Sequence, residues 1–490
     1  MRLSTKHSNQ QTINMYDFTG GLNSSVSPEN IGENQLFKVM NMEPDGASGL
    51  LKTVSGTRLV LSTPFNIYSA FFDRINHKFL IISDEGDSGK KIYAVSSTNP
   101  TRETLEPLAD LSGDLKPIYT LWEDGVLIAS GGKLQYFDGD AVQTITTSPD
   151  KCSGVYVRNG RVLVANTAEN TINYSAVGDE ENWEEDSNDP SGAQWLETGY
   201  KDGGTFIGMA NLSDDIIIFK NNGYVYRLTG NYPDWNMKEI SRQIDCGGRL
   251  SFCSLTNTVI VLGQYNLQML DTTQDYSDVK AGSLSTQVAN ELLNVPIDAD
   301  VINIPPLNQV WVIGNNGFVL IYSTTFKSFF TRQFNSNIRT VFSYENAVFI
   351  AKEDGIYMLD DASFSDAIDG GEMINLAWSF TSRRLVSNHE FLLKRVQINV
   401  SPSFLDAKKD AISVGRIKLS IPTETKYADD SDLIYDNDTL IYNNNTKIYP
   451  EVAMSNMTKC VHRSRALTVK GNGVNGRLVI NSINFDVAEV

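Results

Sequence analysis

The sequence predicts an all-β protein: a β-propeller of about seven blades (six being the alternative), an extended N-terminal arm and a C-terminal β-sandwich-like domain. Three observations predict it. Seven short apolar strands recur at intervals averaging about 45 residues, close to the length of a propeller blade. Each is followed by a polar or glycine-containing turn and a second strand of alternating character. Helical periodicity is confined to one short segment.

Taken in order, residues 1–50 are punctuated by glycine, asparagine and proline with little periodicity, and read as an extended arm. Residues 51–365 hold the repeats. Their apolar strands are KFLIIS from Lys78, GVLIAS from Gly125, RVLVAN from Arg161, DIIIFK from Asp215, TVIVLG from Thr258, QVWVIG from Gln309 and AVFIAK from Ala347. The second strands are KIYAVS, KLQYFD, TINYSA, YVYRLTG, NLQMLD, FVLIYS and IYMLD. The turns Asn221-Asn222-Gly223, Asn315-Asn316-Gly317 and Glu353-Asp354-Gly355 offer residues that tolerate positive φ, as tight hairpins require. A third strand reads upstream of each pair and a fourth downstream, as in VQTIT from Val142 and SFFTRQF from Ser328, so each repeat is a four-stranded antiparallel blade. One of the seven repeats either falls outside the ring or closes it with a strand from the N-terminal region. Between blades, residues 283–294 predict a helical insertion capped by Ser285 or Thr286, with Val288, Leu292 and Leu293 on one face. Residues 366–490 follow a linker and form the strand-rich C-terminal domain, where Gly471 to Gly476 match GxGxxG but lead into a strand and so read as a hairpin loop.

Composition excludes several classes of function. With 41 lysines and arginines against 59 acids, the net charge of −18 opposes broad adhesion to nucleic-acid phosphates or anionic lipid. No apolar run reaches the roughly 18 residues of a membrane helix. The N-terminus lacks the apolar run of a signal peptide, pointing to synthesis in a cytoplasm. Cys152, Cys246, Cys253 and Cys460 are too scattered for a zinc knuckle or a disulfide framework and read as buried thiols. HExxH, GxSxG and clustered histidines are absent from the sequence, and no motif calls for a metal, nucleotide or organic cofactor. The expectation is a non-enzyme.

Two polar loops are the candidate partner-contact sites. One is the acidic insertion with Asp179, Glu180, Glu181, Trp183, Glu184 and Glu185, which could alternatively present a carboxylate pair for glycoside hydrolysis. The other is the near-repeat LIYDNDT, LIYNNNT, KIYP from Leu433 to Pro450, which reads as a hairpin with turns at Asp436, Asn437, Asp438 and at Asn443, Asn444, Asn445.

The first loop also carries a family resemblance. Tyr174-Ser175, the acidic stretch Asp179 to Trp183, Ile207-Gly208, the strand Asp215 to Phe219 and Leu228-Thr229-Gly230 together resemble a pattern in tail proteins of short-tailed bacteriophages. Phe18 to Asn23 are similar to the F-x-G-G-L-N opening of phage virion proteins, and the C-terminal strand order is similar as well. The resemblance is to the podovirus tail-nozzle, or packaged-DNA-stabilisation, family. It implies a virion protein assembled in the host cytoplasm as a homohexameric ring below the portal and adaptor. There it would act as a head–tail connector that extends and gates the DNA channel, retaining packaged double-stranded DNA and conducting it at ejection. Implied partners are the adaptor, a needle or tip, and tailspikes or fibres. The long acidic insertion and the asparagine-rich hairpin depart from the family pattern. The alternative is a propeller glycosidase or depolymerase, or a glycan- or protein-binding propeller acting on a host surface; sialidase-type Ser-x-Asp-x-Gly-x-Thr-Trp boxes are missing from the chain.

Overall fold

Six four-stranded antiparallel sheets and one six-stranded sheet follow one another around a ring, the last blade being extended by Ser365–Ala367 and Met373–Asn375 from the segment expected to be a linker, and a ten-stranded sheet stands beside them. The computed structural model describes residues 10–489, except 47, 99, 101, 103–104, 187, 231–233, 273–278, 369–370, 404–410, 421–425, 428–433, 437–438, 442–446, 449–453 and 475–476. No described helix is long and apolar enough to cross a membrane.

The seven apolar runs are the second strands of the seven blades: Lys78–Asp84, Gly125–Ala129, Arg161–Asn166, Asp215–Lys220, Thr258–Leu262, Gln309–Ile313 and Ala347–Lys352. Each begins at the residue where the sequence places it. Physics explains the match, because a second strand is covered on both faces by neighbouring blades and must be apolar throughout. Gly125–Ala129 and Arg161–Asn166 are buried at every position. The outer strand Pro107–Asp110 faces solvent and is mostly polar or exposed.

The ring is closed from outside the repeats. The last blade takes Ile338–Tyr344, Ala347–Lys352 and Gly355–Asp360 from the end of the propeller, and its fourth strand is Gly56–Ser62. The pairing runs from Gly355 opposite Ser62 to Asp360 opposite Gly56. Asn316 (φ 54°), Gly317 (φ 77°) and Gly223 (φ 83°) adopt the expected positive φ. Gly355 does not, and it is required for a different reason: a Cβ there would lie 2.3 Å from the Leu61 carbonyl oxygen of the closing strand.

A buried charge cluster marks this seam. Arg332, Lys352 and Asp366 are each at most 3% exposed. Thr57 in the closing strand donates to Asp366 Oδ1 at 3.2 Å and accepts from the Ala367 N–H at 3.1 Å. Arg332 Nη2 donates to the Ser55 carbonyl at 2.6 Å and its guanidinium lies 4.2 Å from the Phe334 ring centre.

The helical insertion is two 3₁₀ turns, Thr286–Val288 and Glu291–Asn294. Val288 is buried and Leu292 packs on the core, but Leu293 is 83% exposed, because two short turns do not hold the α-helical phase that would align it with them. Ser285 does not cap with its side chain; its Oγ accepts from the Leu267 N–H at 2.9 Å.

The N-terminal segment wraps its own chain. Gln10–Met15 pairs with Arg477–Glu489, Gln35–Met40 pairs with the start of Trp378–Ser403, and Leu51–Thr53 pairs with Val479 and Ile480. Met42–Pro44 pairs with Leu51–Thr53. Asn41 seats this segment on the outer strand of the sixth blade: its N–H donates to the Thr331 carbonyl at 3.0 Å and its side-chain oxygen accepts from the Gln333 N–H at 2.8 Å. One apolar core therefore runs from Phe18, Leu22 and Leu36 through Trp311 and Phe330 to Phe380, Val396 and Phe485.

At the centre of the large sheet the 26-residue strand Trp378–Ser403 pairs with Met454–Gly473 on one side and Arg477–Glu489 on the other. Residues 473 and 477 lie opposite its two ends, so the strand doubles back, with register breaks between Val386 and Phe391 and between Leu393 and Arg395. This corrects the reading of Gly471 to Gly476 as a hairpin loop, since the strands either side of it pair with a third strand and not with each other. Gly471 is needed for packing: a Cβ there would sit 2.2 Å from the Phe380 ring.

Candidate interaction site

The acidic loop joins the third strand of its blade, Thr171–Tyr174, to the fourth, Gln194–Glu197. Arg161, 4% exposed, anchors it by donating to the carbonyls of Ser175 at 2.6 Å, Gly192 at 2.7 Å and Pro190 at 2.7 Å. Asp179 Oδ1 accepts from the N–H groups of Glu181 and Asn182, forming a side-chain turn. Trp183 packs on the core between the second and third blades, and its indole N–H donates to the Glu180 carbonyl at 2.6 Å. The Glu180 carboxylate accepts from Trp122 Nε1 at 2.9 Å.

The six predicted contact residues therefore divide. Trp183 and Glu180 hold the loop to the ring, Asp179 shapes it, and Glu181, Glu184 and Glu185 are exposed, as are Asp186 and Asp189. Backbone N–H donation from Ser191 holds the Asp189 carboxyl below its usual range. The product is a folded acidic platform on the face of the ring where third strands end.

Of the second candidate loop, Ile434–Asp436 pairs with Thr439–Ile441, placing Asp436 opposite Thr439. Asn437, Asp438, Asn443, Asn444 and Asn445 lie outside the described residues.

Along the ring axis lies a cavity of about 350 Å³, open to solvent at its mouth and lined by residues of the seven innermost strands, including Phe71, Tyr119, Met209, Phe252, Val301 and Phe342. At the face where those strands begin, it is crossed by two cationic side chains. Arg249, at the start of the fifth blade, donates to the Ser153 carbonyl (Nε at 2.9 Å) and the Lys116 carbonyl (Nη1 at 3.1 Å) of the third and second blades. Lys116 in turn reaches Asp300 and the Arg339 carbonyl, at the starts of the sixth and seventh blades. Burial lowers the Arg249 pKa, but a guanidinium starts so far above neutrality that it stays charged.

These struts are absent from the sequence-level candidates. Their signal is positional: each is a lone polar residue just before an innermost strand, as Lys116 is before Ile118–Trp122 and Arg249 before Phe252–Ser254.

The chemistry available elsewhere is limited. All four cysteines are free; burial pushes the thiols of Cys152, Cys246 and Cys253 up to about 12, so they are protonated and unreactive at neutral pH. Among the described residues no three His, Cys, Asp or Glu side chains group as a metal site.

No protein-family model matches the chain, and no curated protein does. Among solved structures it is similar to BamB from Moraxella catarrhalis, with 9% identity over 71% of this chain and 97% of that one and a TM-score of 0.38. It is also similar to the WD40 domain of Neurospora crassa Pan2, with 11% identity over 60% of this chain and 88% of that one and a TM-score of 0.40. The chain is a seven-bladed β-propeller, as its own strand order states.

Proposed function

We propose that this protein is a structural virion component, a subunit of a ring-shaped tail nozzle that extends the DNA channel below the portal and adaptor, retains packaged DNA and conducts it at ejection. The observation that carries the reading is the closed ring axis. Arg249 and Lys116 tie five blades together across it, and the remaining cavity is of small-molecule size. A propeller braced in this way is a solid block. In a nozzle the duplex runs between subunits, and rigid blocks around a shared axis define such a channel without opening any one of them. The −18 charge suits a conduit wall that must not hold phosphate, and the phage-like segments described above supply the family context.

The test is native mass spectrometry with negative-stain averaging of the purified chain, alone and mixed with a portal–adaptor complex. Six-fold rings seated on the adaptor are the expected result. A chain that ignores the adaptor yet releases sugar from a host-envelope polymer overturns the reading and favours a propeller glycosidase.

A further inference from the structure

One part of this acidic chain carries a local excess of positive charge. The paired strands Trp378–Ser403 and Met454–Gly473 carry Arg383, Arg384, Lys394, Arg395, Lys459, Arg463, Arg465 and Lys470 against a single acid, Glu390. Some of these cations serve the fold: Arg395 pairs with Asp486 at 2.9 Å and Arg384 with Glu29 at 3.1 Å. Others do not. Along residues 455–465 alternate side chains are exposed, giving one outward face of Met457, Lys459, Val461, Arg463 and Arg465. Val461 is 84% exposed and Met457 50%. The outer edge of this strand pairs only at residues 469–472, with Ala411–Val414; from 455 to 468 no described strand covers it.

Cations on an edge strand ordinarily serve to prevent edge-to-edge pairing, and here they oppose a two-fold pairing centred near residue 464, which would set Arg463 of one copy against Arg465 of another. They do not explain valine and methionine held in water between them. That combination, apolar side chains rimmed by cations, fits an acidic protein surface better than a phosphate backbone, which offers nothing to the valine. The same chain displays such a surface in the folded platform of Glu181, Glu184, Glu185, Asp186 and Asp189, flanked by exposed Val177 (50%).

We propose that the cationic edge at Met457–Arg465 of one copy docks on the acidic platform at Glu181–Asp189 of the next, making a head-to-tail contact. Such a contact joins different patches on its two partners, so repeating it generates a ring when the rotation closes and a filament when it does not. The inference rests on the nozzle reading only in that both require copies of this chain to associate, and the two can fail separately.

The experiment measures self-association of the full chain by sedimentation velocity across a range of salt. Charged contacts of this kind weaken as salt rises, and the double variant R463E/R465E is expected to weaken association tenfold or more at low salt. E184K/E185K should do the same. Mixing the two variants should restore mixed oligomers, which a general folding defect cannot do; circular dichroism confirms that each variant is folded. Association that is indifferent to salt and to both variants overturns the proposal. So does a chain that stays monomeric at every concentration and salt. Retention of duplex DNA that R463E/R465E abolishes also overturns it, by assigning the edge to phosphate. If rings form on the adaptor while the charge variants have no effect, the nozzle stands and this contact falls. If the charge swap restores oligomers that ignore the adaptor, the contact stands and the nozzle falls.

Discussion

Arg249 illustrates how much a single side chain can bind together when its donors have no carboxylate to satisfy them. Its guanidinium is spent on the carbonyls of Lys116 and Ser153, on two blades other than its own. Arg249→Ala leaves those carbonyls without their donors at the ring axis, and an unmet buried acceptor costs about 1–3 kcal/mol. Urea denaturation should show a loss of about 2–4 kcal/mol, and Arg249→Lys should not rescue it, because one ammonium cannot reproduce a planar fork. A second residue-scale test is the pair Lys220 and Asp202, 2.7 Å apart with side chains 0% and 6% exposed. Burial raises the Asp202 pKa, but the Lys220 ammonium, the Gly204 N–H and the Tyr226 hydroxyl outweigh it and hold the carboxyl below its usual value. A folded value below the unfolded one means that the stabilisation is complete above about pH 4 and is lost as the pH falls through the folded value. Asp202→Asn strands a buried ammonium and should cost about 3–5 kcal/mol at pH 7. Denaturation midpoints measured from pH 7 down to 3 should show the gap to the unmodified protein narrowing below pH 4.

At the scale of elements, the acidic loop is a folded unit held at its base by one arginine. Arg161→Ala removes three hydrogen bonds to the carbonyls of Ser175, Pro190 and Gly192. Limited proteolysis should then cut between residues 176 and 193 well before any other site, while the rest of the ring stays resistant. Cleavage elsewhere, or none, would show that Trp183 and Trp122 suffice to hold the loop. The second strands of the blades were readable from the chain because burial on both faces makes their composition independent of which neighbours they meet. Gly56–Ser62 was not assigned as a blade strand, since GTRLVLS has no hairpin partner beside it in sequence and completes its sheet with residues 355–360. Gly471 to Gly476 misled for the related reason that a glycine-rich link between two strands does not reveal whether those strands pair.

For the whole molecule, the closing strand and the N-terminal arm make the ring and the large sheet interdependent. Removing residues 1–62 strips the fourth strand of the last blade and uncovers the core shared by Trp311, Phe330 and Phe380. That variant should be recovered aggregated on size-exclusion chromatography. Removing residues 1–15 takes, among the described elements, the edge strand Gln10–Met15, whose positions are exposed or half-buried, and should leave a folded, soluble chain. If both truncations aggregate, the first fifteen residues and not the closing strand are what matter.

The amino-acid sequence by itself determined the class of fold and the starting residue of every blade's second strand, because those follow from local hydrophobic runs and turn residues, whereas seven blades rather than six was decided by the pairing of the closing strand. It also placed Glu184 and Glu185 in an exposed acidic loop, since so dense a charge run cannot be buried. Only the tertiary structure decided that Arg249 and Lys116 close the axis, that Gly56–Ser62 closes the ring, and that Lys459, Arg463 and Arg465 line an edge without a described strand partner. Those contacts join residues far apart in the chain, and their geometry exists only once the blades have come together around a common axis.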